Sequence, residues 1–329
     1  MAWYNSSWLK RKAITLTGGA SGAQTDYQVK LTVTHDSDMQ SDFDDLRFTK
    51  SDGVTLIDAW MESYTASTSA IIWVETDTPA NTVEADIYMY YGNSGASSSW
   101  SGSNTFPDFY DGFEDGNVTE WTQSGTTEVL TAQNTTVRAG TYAGKVVYTS
   151  PGEGYEYRAI TNLRDADKVI EWWWRGGGGN TPNLITLSDV LDYRDSVCLY
   201  YRPTDLEFRY YDGSYHNILT GIDNDTWYKF TMKLNANGAD TKFDLWVDDV
   251  KKVTDGGTRG SAGAIDIFSF VMNNTLSGYN ATIYADDILI RKYVANPATY
   301  AFGSEETAGG PRCRVLFGPF CGPFRGVIG

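Results

Sequence analysis

The sequence predicts an all-β protein made of two antiparallel β-sandwich domains, the second a jelly roll, with an extended tail behind it. Three observations carry that prediction. Apolar and polar residues alternate along many short runs, aromatic residues reach 14 % of the chain with 22 Tyr and 11 Trp, and Asn, Asp and Gly gather between the runs. Period-two alternation marks half-buried strands, aromatic and β-branched side chains suit a pleated surface, and small polar residues supply turns. No segment shows helical periodicity. At 329 residues the chain is long enough for two cores, of roughly 100 and 200 residues.

The first domain is placed at residues 1–93, with strands in KAITLTG, YQVKLTVT, DLRFTKSDG, AIIWVETD and ADIYMYYGN, and a tight turn at Lys50-Ser51-Asp52-Gly53. Residues 94–107, SGASSSWSGSNTFP, lose periodicity and read as a Ser/Gly-rich linker. The second domain is placed at 108–307, where AGKVVYT, KVIEWWWR, SVCLYYR, LEFRYYDG, WYKFTMKLN, TKFDLWVD, IDIFSFVMN and TIYADDILIRKY supply eight strands. Hairpin turns are expected at Asp212-Gly213, Asn237-Gly238 and Asp248-Asp249. The last segment, 308–329, changes character: it holds three arginines, no acid and Gly-Pro-Phe twice. Its prolines and glycines exclude a helix or a central strand, yet it is too apolar to stay freely solvated.

The formal charge of −16 and a pI near 4.5 repel phosphate backbones and anionic lipid heads, so neither nucleic acid nor a membrane surface is an expected partner. No run approaches the ~20 apolar residues of a membrane span, and residues 1–20 lack the apolar centre of a secretory leader. An extracellular place, on a cell surface or a virion, is expected, reached after removal of a leader or by another route such as packaging in a virus particle. Three cysteines exclude a disulfide-built scaffold. Cys198 reads as a small core residue, and Cys313 with Cys321 would close a small loop in an oxidising compartment.

The segments WYNSSWLKRKAITLT, DFDDLRFTKSDGVTLIDAW and ADIYMYYGN resemble a domain-of-unknown-function family found in archaeal and bacterial surface proteins. Members frequently carry a concanavalin-like or laminin-G-like jelly roll directly behind it. FEDG, TWYKFTMKL, LWVDDV and YADDILI resemble such a jelly roll. That fold hosts lectins, adhesion modules, accessory carbohydrate binders and some glycosidases, so the resemblance implies a fold more than a function. In carbohydrate-binding jelly rolls of this kind the acid of the opening Phe-Glu pair and an aspartate of the closing Tyr-x-Asp-Asp strand hold a structural calcium. The resemblance therefore implies Glu114, Asp286 and Asp287 as Ca²⁺ ligands, completed by backbone carbonyls and water. Alternation sets Asp286 on one side with Tyr284, Ile288 and Ile290, where a carboxylate needs a partner; backbone amides are the alternative to an ion.

In VIEWWWR, alternation separates Glu171, Trp173 and Arg175 from Ile170, Trp172 and Trp174. The tryptophans Trp172 and Trp174 are expected in the core. Glu171, Trp173 and Arg175 then form a candidate glycan-binding face, where an indole stacks on a sugar ring and its charged neighbours bind hydroxyls. Tyr201 and Tyr211, with Tyr200, Tyr210 and Tyr215, are expected to border that face, although aromatic ladders also stabilise sheets without a ligand. Catalysis is not expected: no i, i+2 carboxylate pair sits on an aromatic strand, and Asp244 and Asp248 would lie about 13 Å apart. Neither His35 nor His216 has a nucleophile or metal-ligand setting. The tail residues Arg312, Cys313, Arg314, Phe317, Phe320, Cys321, Phe324 and Arg325 are expected to dock on neighbouring subunits of an acidic protein. Together these readings describe a non-catalytic extracellular structural or adhesive protein, a cell-surface, filament or virion component. The alternatives are a stand-alone lectin-like carbohydrate binder and a glycoside hydrolase of concanavalin-like fold.

Overall fold

The computed structural model describes residues 2–125, 128–149, 152–160, 167–180, 183–188, 196–237, 240–260, 265, 267–274 and 280–309. They fold almost entirely into antiparallel strands that make two sandwiches.

In the first sandwich one sheet runs Thr299–Thr307, Lys10–Thr17, Glu84–Tyr91, Arg47–Thr49, and the other runs Gln24–Thr34, Ser69–Thr78, Ala59–Thr65. Alternation places Ile14, Leu16, Ile87 and Met89 of one sheet against Val29, Leu31, Ile72 and Val74 of the other, all buried. The second sandwich is the expected jelly roll, a sheet of eight strands over a sheet of seven. Trp172 and Trp174 are fully buried in its core, Trp172 stacked on Phe230 with ring centroids 5.2 Å apart.

The expected turns hold where they are described. Gly53 donates its N–H to the Lys50 carbonyl at 3.0 Å. Asp248 and Asp249 take φ values of 50° and 61°, the left-handed pair that a two-residue hairpin requires. Gly238 of the Asn237-Gly238 turn lies outside the described residues. So do Arg312, Cys313, Arg314, Phe317, Phe320, Cys321, Phe324 and Arg325, and with them the Cys313–Cys321 pairing.

Two domain boundaries change. The strand Thr299–Thr307 does not close the jelly roll placed at 108–307; it pairs antiparallel with Lys10–Thr17, from Lys10 opposite Thr307 to Thr17 opposite Thr299. Its alternation explains the return, since Tyr300 and Phe302 pack on the first core. The first domain, 1–93, is thus completed by the strand Thr299–Thr307. Nor is 94–107 a free linker. Ser101 caps a single helical turn, Gly102–Thr105, by accepting from the Asn104 amide at 3.2 Å, and the following Phe106 is 1 % exposed. Gly102 is required there because a Cβ would fall 2.3 Å from the Tyr110 ring.

Removing residues 310–329, which keeps the pairing of Thr299–Thr307 and the Ala308 amide on the Leu9 carbonyl, should leave the thermal unfolding of the first sandwich unchanged. Removing 298–329 should lower its unfolding temperature by about 4–8 °C or more, because the edge of Lys10–Thr17 then loses its partner. Circular dichroism melts of the two truncations check this.

Candidate functional site

The centre of the molecule is a buried charge network where the two sandwiches meet. From the first sandwich, alternation turns Lys30, Glu62 and Trp73 away from their own core; from the jelly roll, Glu171, Lys229, Asp287 and Arg291 point toward them. Glu171, 3 % exposed, receives Arg291 Nη2 at 2.6 Å and Nε at 2.9 Å on Oε1, and Lys229 Nζ at 3.1 Å on Oε2. Glu62 receives Lys30 Nζ at 3.0 Å and the Trp73 indole N–H at 2.8 Å. Arg138 bridges the halves: its Nη1 donates to the Glu62 carbonyl and to Asp287 Oδ2, each at 2.7 Å. Burial alone would raise the Glu171 carboxyl, but Arg291 and Lys229 outweigh it and hold it down at about 2. Burial likewise works against Glu62, and Lys229 and Lys30 bring it below its ordinary value. Around the charges, Trp60, Trp73, Phe106 and Leu289 form a small apolar cluster of their own.

This arrangement corrects the candidate glycan face. Glu171 does not reach solvent; it is the best-paired carboxylate of the junction. Trp173 is half-buried, and the Arg138 guanidinium lies over its ring at 4.1 Å. Arg175 is held by the Asn224 carbonyl at 3.1 Å and by Asp225 at 2.6 Å. The tyrosines do not border this face. Tyr201 is 1 % exposed and Tyr210 packs against the same core, both on the inner side of the seven-stranded sheet, whereas Tyr200 and Tyr211 lie on that sheet's outer side, across the sandwich from Trp173. Strand order separates them: SVCLYYR and LEFRYYDG belong to one sheet and VIEWWWR to the other.

The acidic residues of the opening and closing segments are engaged separately. Both Glu114 oxygens accept from the Thr141 amide, at 3.0 and 2.9 Å, and Oε1 also accepts from Tyr142. Gly140 makes room for that carboxylate, since a Cβ there would sit 2.2 Å from Glu114 Oε1. Asp286 accepts the Arg138 amide at 3.1 Å and the Asp287 amide at 2.9 Å. The expected alternation of Asp286 with Ile288 and Ile290 is broken by a bulge: Asp287 takes φ 46°, Ile283 and Ala285 enter the core before it, and Ile288 and Ile290 enter after it. Both aspartates therefore face the junction. Burial, and for Asp286 the neighbouring Asp287 charge, pushes the pair above the ordinary carboxylate range. Glu114, Asp286 and Asp287 do not meet as one three-carboxylate cluster, and Asp287 has a guanidinium as its counter-ion. Among the described residues the carboxylates that do cluster are Asp36, Asp38 and Glu305, where Lys10 and Lys12 neutralise them.

At the rim of the junction an open surface remains. A depression of about 220 Å³ is lined by Thr231, Trp246, Asp249, Arg291 and Tyr293. Trp246 and Tyr293 are half-buried, with ring centroids 6.5 Å apart at 42°. The side chain of Lys251 lies over Trp246 and that of Lys233 over Tyr293. The sequence reading missed this pair, although LWVDDV and IRKY each place an aromatic residue on the solvent phase of the strand, the signal that singled out Trp173.

Comparison with known proteins agrees with part of the expected resemblance. The sequence profile of the family "Domain of unknown function (DUF2341)" matches residues 42–124, past the expected end of the first domain and into the opening of the jelly roll. No curated protein matches the chain. Among solved structures, "Cellulose induced protein, Cip1" is similar at 19 % identity and a TM-score of 0.37, over 55 % of this chain and 96 % of that one. An endo-β-1,4-glucuronan lyase from Trichoderma reesei is similar at 13 % and 0.38, over 58 % and 97 %. The carbohydrate-binding module CBM66 from Bacillus subtilis is similar at 17 % and 0.33, over 53 % and 97 %.

The junction fixes two limbs of a pH profile. Glu171, depressed from 4.5 to about 2, contributes stability that is present above its unfolded value and lost as pH falls toward 2. Asp286 and Asp287, raised from 3.8, contribute stability that is present in acid and lost as pH rises above the ordinary carboxylate range. Denaturant unfolding between about pH 3 and 9 should therefore show a mildly acidic maximum. Asp286→Asn should flatten the alkaline limb. Glu171→Gln should flatten the acid limb and cost about 3–5 kcal/mol, because it leaves Lys229 and Arg291 buried without their anion.

Proposed function

We propose that this protein is a non-catalytic extracellular structural or adhesive component, of a cell surface, a filament or a virion, which recognises glycans in the depression beside Trp246 and Tyr293. The observation that carries the reading is that aromatic pair. Two half-buried rings, 6.5 Å apart, flank Thr231 and Asp249 at an open surface. Such a pairing of flat apolar faces with a few hydroxyl-binding groups suits a pyranose ring. The first sandwich acts as scaffold by covering the middle of the jelly roll's outer face and leaving this rim free. A glycosidase reading is not favoured here, because among the described residues Asp249 is the one carboxylate lining the depression and Glu171 stays ionised under two cations. The tail 308–329 supplies self-association, its three arginines and apolar residues meeting the acidic surface of a neighbouring copy. A structural Ca²⁺ held by Glu114 and Asp286 is the less favoured reading, because backbone amides already take the oxygens of both carboxylates.

A glycan array probed with the whole chain and with Trp246→Ala tests the recognition. Binding that falls at least about tenfold in the variant, ~1.4 kcal/mol, is expected; no binding, or equal binding by both, refutes the reading. Particle mass with and without residues 308–329 tests assembly, and an unchanged mass favours the stand-alone lectin. Excess chelator should lower the unfolding temperature if Glu114 and Asp286 hold calcium, since a bound ion stabilises by mass action.

A further inference from the structure

Arg291 is the wall between two depressions. One is the Trp246–Tyr293 depression; the other, about 390 Å³, lies on the side of the first sandwich. The second is lined by Tyr27, Gln28, Lys30 and Trp73 from that sandwich and by the segment Pro297–Tyr300, which carries the chain from the jelly roll back into the first sheet. Resting on the reading that the first depression takes a glycan, we propose that the two form one continuous site for a linear, uncharged polysaccharide that crosses the domain junction, so that recognition needs both sandwiches.

The volumes point this way. A pocket that engulfs a small ligand commonly encloses about 300–1,000 Å³. The depression at Trp246 falls below that range and its neighbour sits at the low end, so the first alone is too small to engulf a compact ligand, whereas successive units of one chain fill both. Arg291 is fixed as the shared wall. Its Nε and Nη2 are taken by Glu171, its Nη1 by the Lys292 carbonyl at 3.1 Å, and its guanidinium lies 5.1 Å from the Trp73 ring. The charge state decides the ligand class. Three of the cations along the groove already have an anion: Lys30 has Glu62, Arg291 has Glu171 and Lys251 has Asp244, while Lys233, over the Tyr293 ring, is held by the neutral Asn235 side chain at 2.9 Å. That leaves little positive charge to draw a polyuronate, and the net charge of −16 repels one. What the groove offers is aromatic surface from Trp246, Tyr293, Tyr27 and Tyr300, with backbone and amide groups beside it, which matches the C–H faces and hydroxyls of neutral sugars.

The test is calorimetric titration of the whole chain with cello- and manno-oligosaccharides from the monosaccharide to the hexasaccharide, with oligogalacturonate as the charged comparison. Affinity for one neutral series should rise at least about tenfold between the disaccharide and the hexasaccharide, since the second contact becomes intramolecular once the first is made. Tyr300→Ala should bring the hexasaccharide down to the affinity of the disaccharide and leave the disaccharide unchanged, while Tyr300→Phe should behave as the parent. Should Tyr300→Ala fail to fold, Ala298→Trp, which fills the second depression, takes its place with the same expected result. Length-independent binding that Trp246→Ala still abolishes would overturn the spanning site and leave the Trp246 reading standing. Preference for oligogalacturonate would overturn the neutral class, and no binding of any series would overturn both proposals.

Discussion

The structure depends on a cost that a single sandwich could not offset. Glu171 and Lys229 project from neighbouring strands of the jelly roll and are 3 % and 6 % exposed. Ionised groups withdrawn from water lose several kcal/mol of hydration each, and only close partners of opposite sign restore it. On its own sheet Glu171 has Lys229 and Arg291; Lys229 reaches further, to Glu62 of the first sandwich at 3.9 Å, and Arg138 reaches both Glu62 and Asp287. The two halves therefore meet in one register, set by which charge must lie opposite which. An apolar junction would tolerate sliding, and this one does not. Trp60, Trp73, Phe106 and Leu289 keep water from the charges and strengthen them by lowering the local dielectric.

A local irregularity in one strand makes that register available. Along Asn280–Lys292, Ile283 and Ala285 point into the jelly-roll core, and strict alternation would send Ile290 outward and leave Arg291 in the core. The bulge at Asp286–Asp287 shifts the phase by one residue. Ile288 and Ile290 return to the core, while Leu289 and Arg291 join the junction. The bulged aspartates are then drawn into the network themselves, one on the Arg138 amide and the other on its guanidinium. A single left-handed residue, Asp287, thus aims the side chain on which both rim depressions depend.

The architecture was legible in the sequence because sandwich strands alternate locally. The core phase of Ile170, Trp172 and Trp174, the turns at Gly53 and Asp248-Asp249 and the jelly roll itself all follow from patterns a few residues long. What stayed hidden depends on residues far apart in the chain. Glu171, Trp173 and Arg175 were correctly set on the outer phase of their strand, but Glu171 there meets another domain and not water, and no local pattern distinguishes the two. One signal did exist. Trp60 and Trp73 occupy the solvent phase of strands in the first sandwich, and large indoles on that phase of both domains mark two faces that need covering. The return of Thr299–Thr307 to the first sheet was hidden for a related reason: a pairing with residues almost three hundred positions earlier leaves no trace in periodicity. The Asp286 phase was lost to the bulge, which alternation cannot foresee.

The place of the open surface follows from the widths of the two sheets. Paired strands lie about 4.8 Å apart, so the three-stranded sheet that docks is roughly 10 Å across between its outer strands, and the eight-stranded sheet beneath it is about three times wider. A narrow sheet laid on a wide one covers the centre and leaves the margins. Glu171, Lys229, Asp287 and Arg291 lie under the cover, whereas Trp246, one strand further out on Asp240–Val247, lies beyond it. Tyr293 stands where the covered strand runs out from beneath the first sandwich, and the segment leading to Thr299 then climbs from one sheet to the other. The groove is therefore a geometric remainder of the docking. Its floor is jelly roll and one wall is the first sandwich. Trp246 and Tyr293 belong to neither core, which is why those rings are free to meet a ligand.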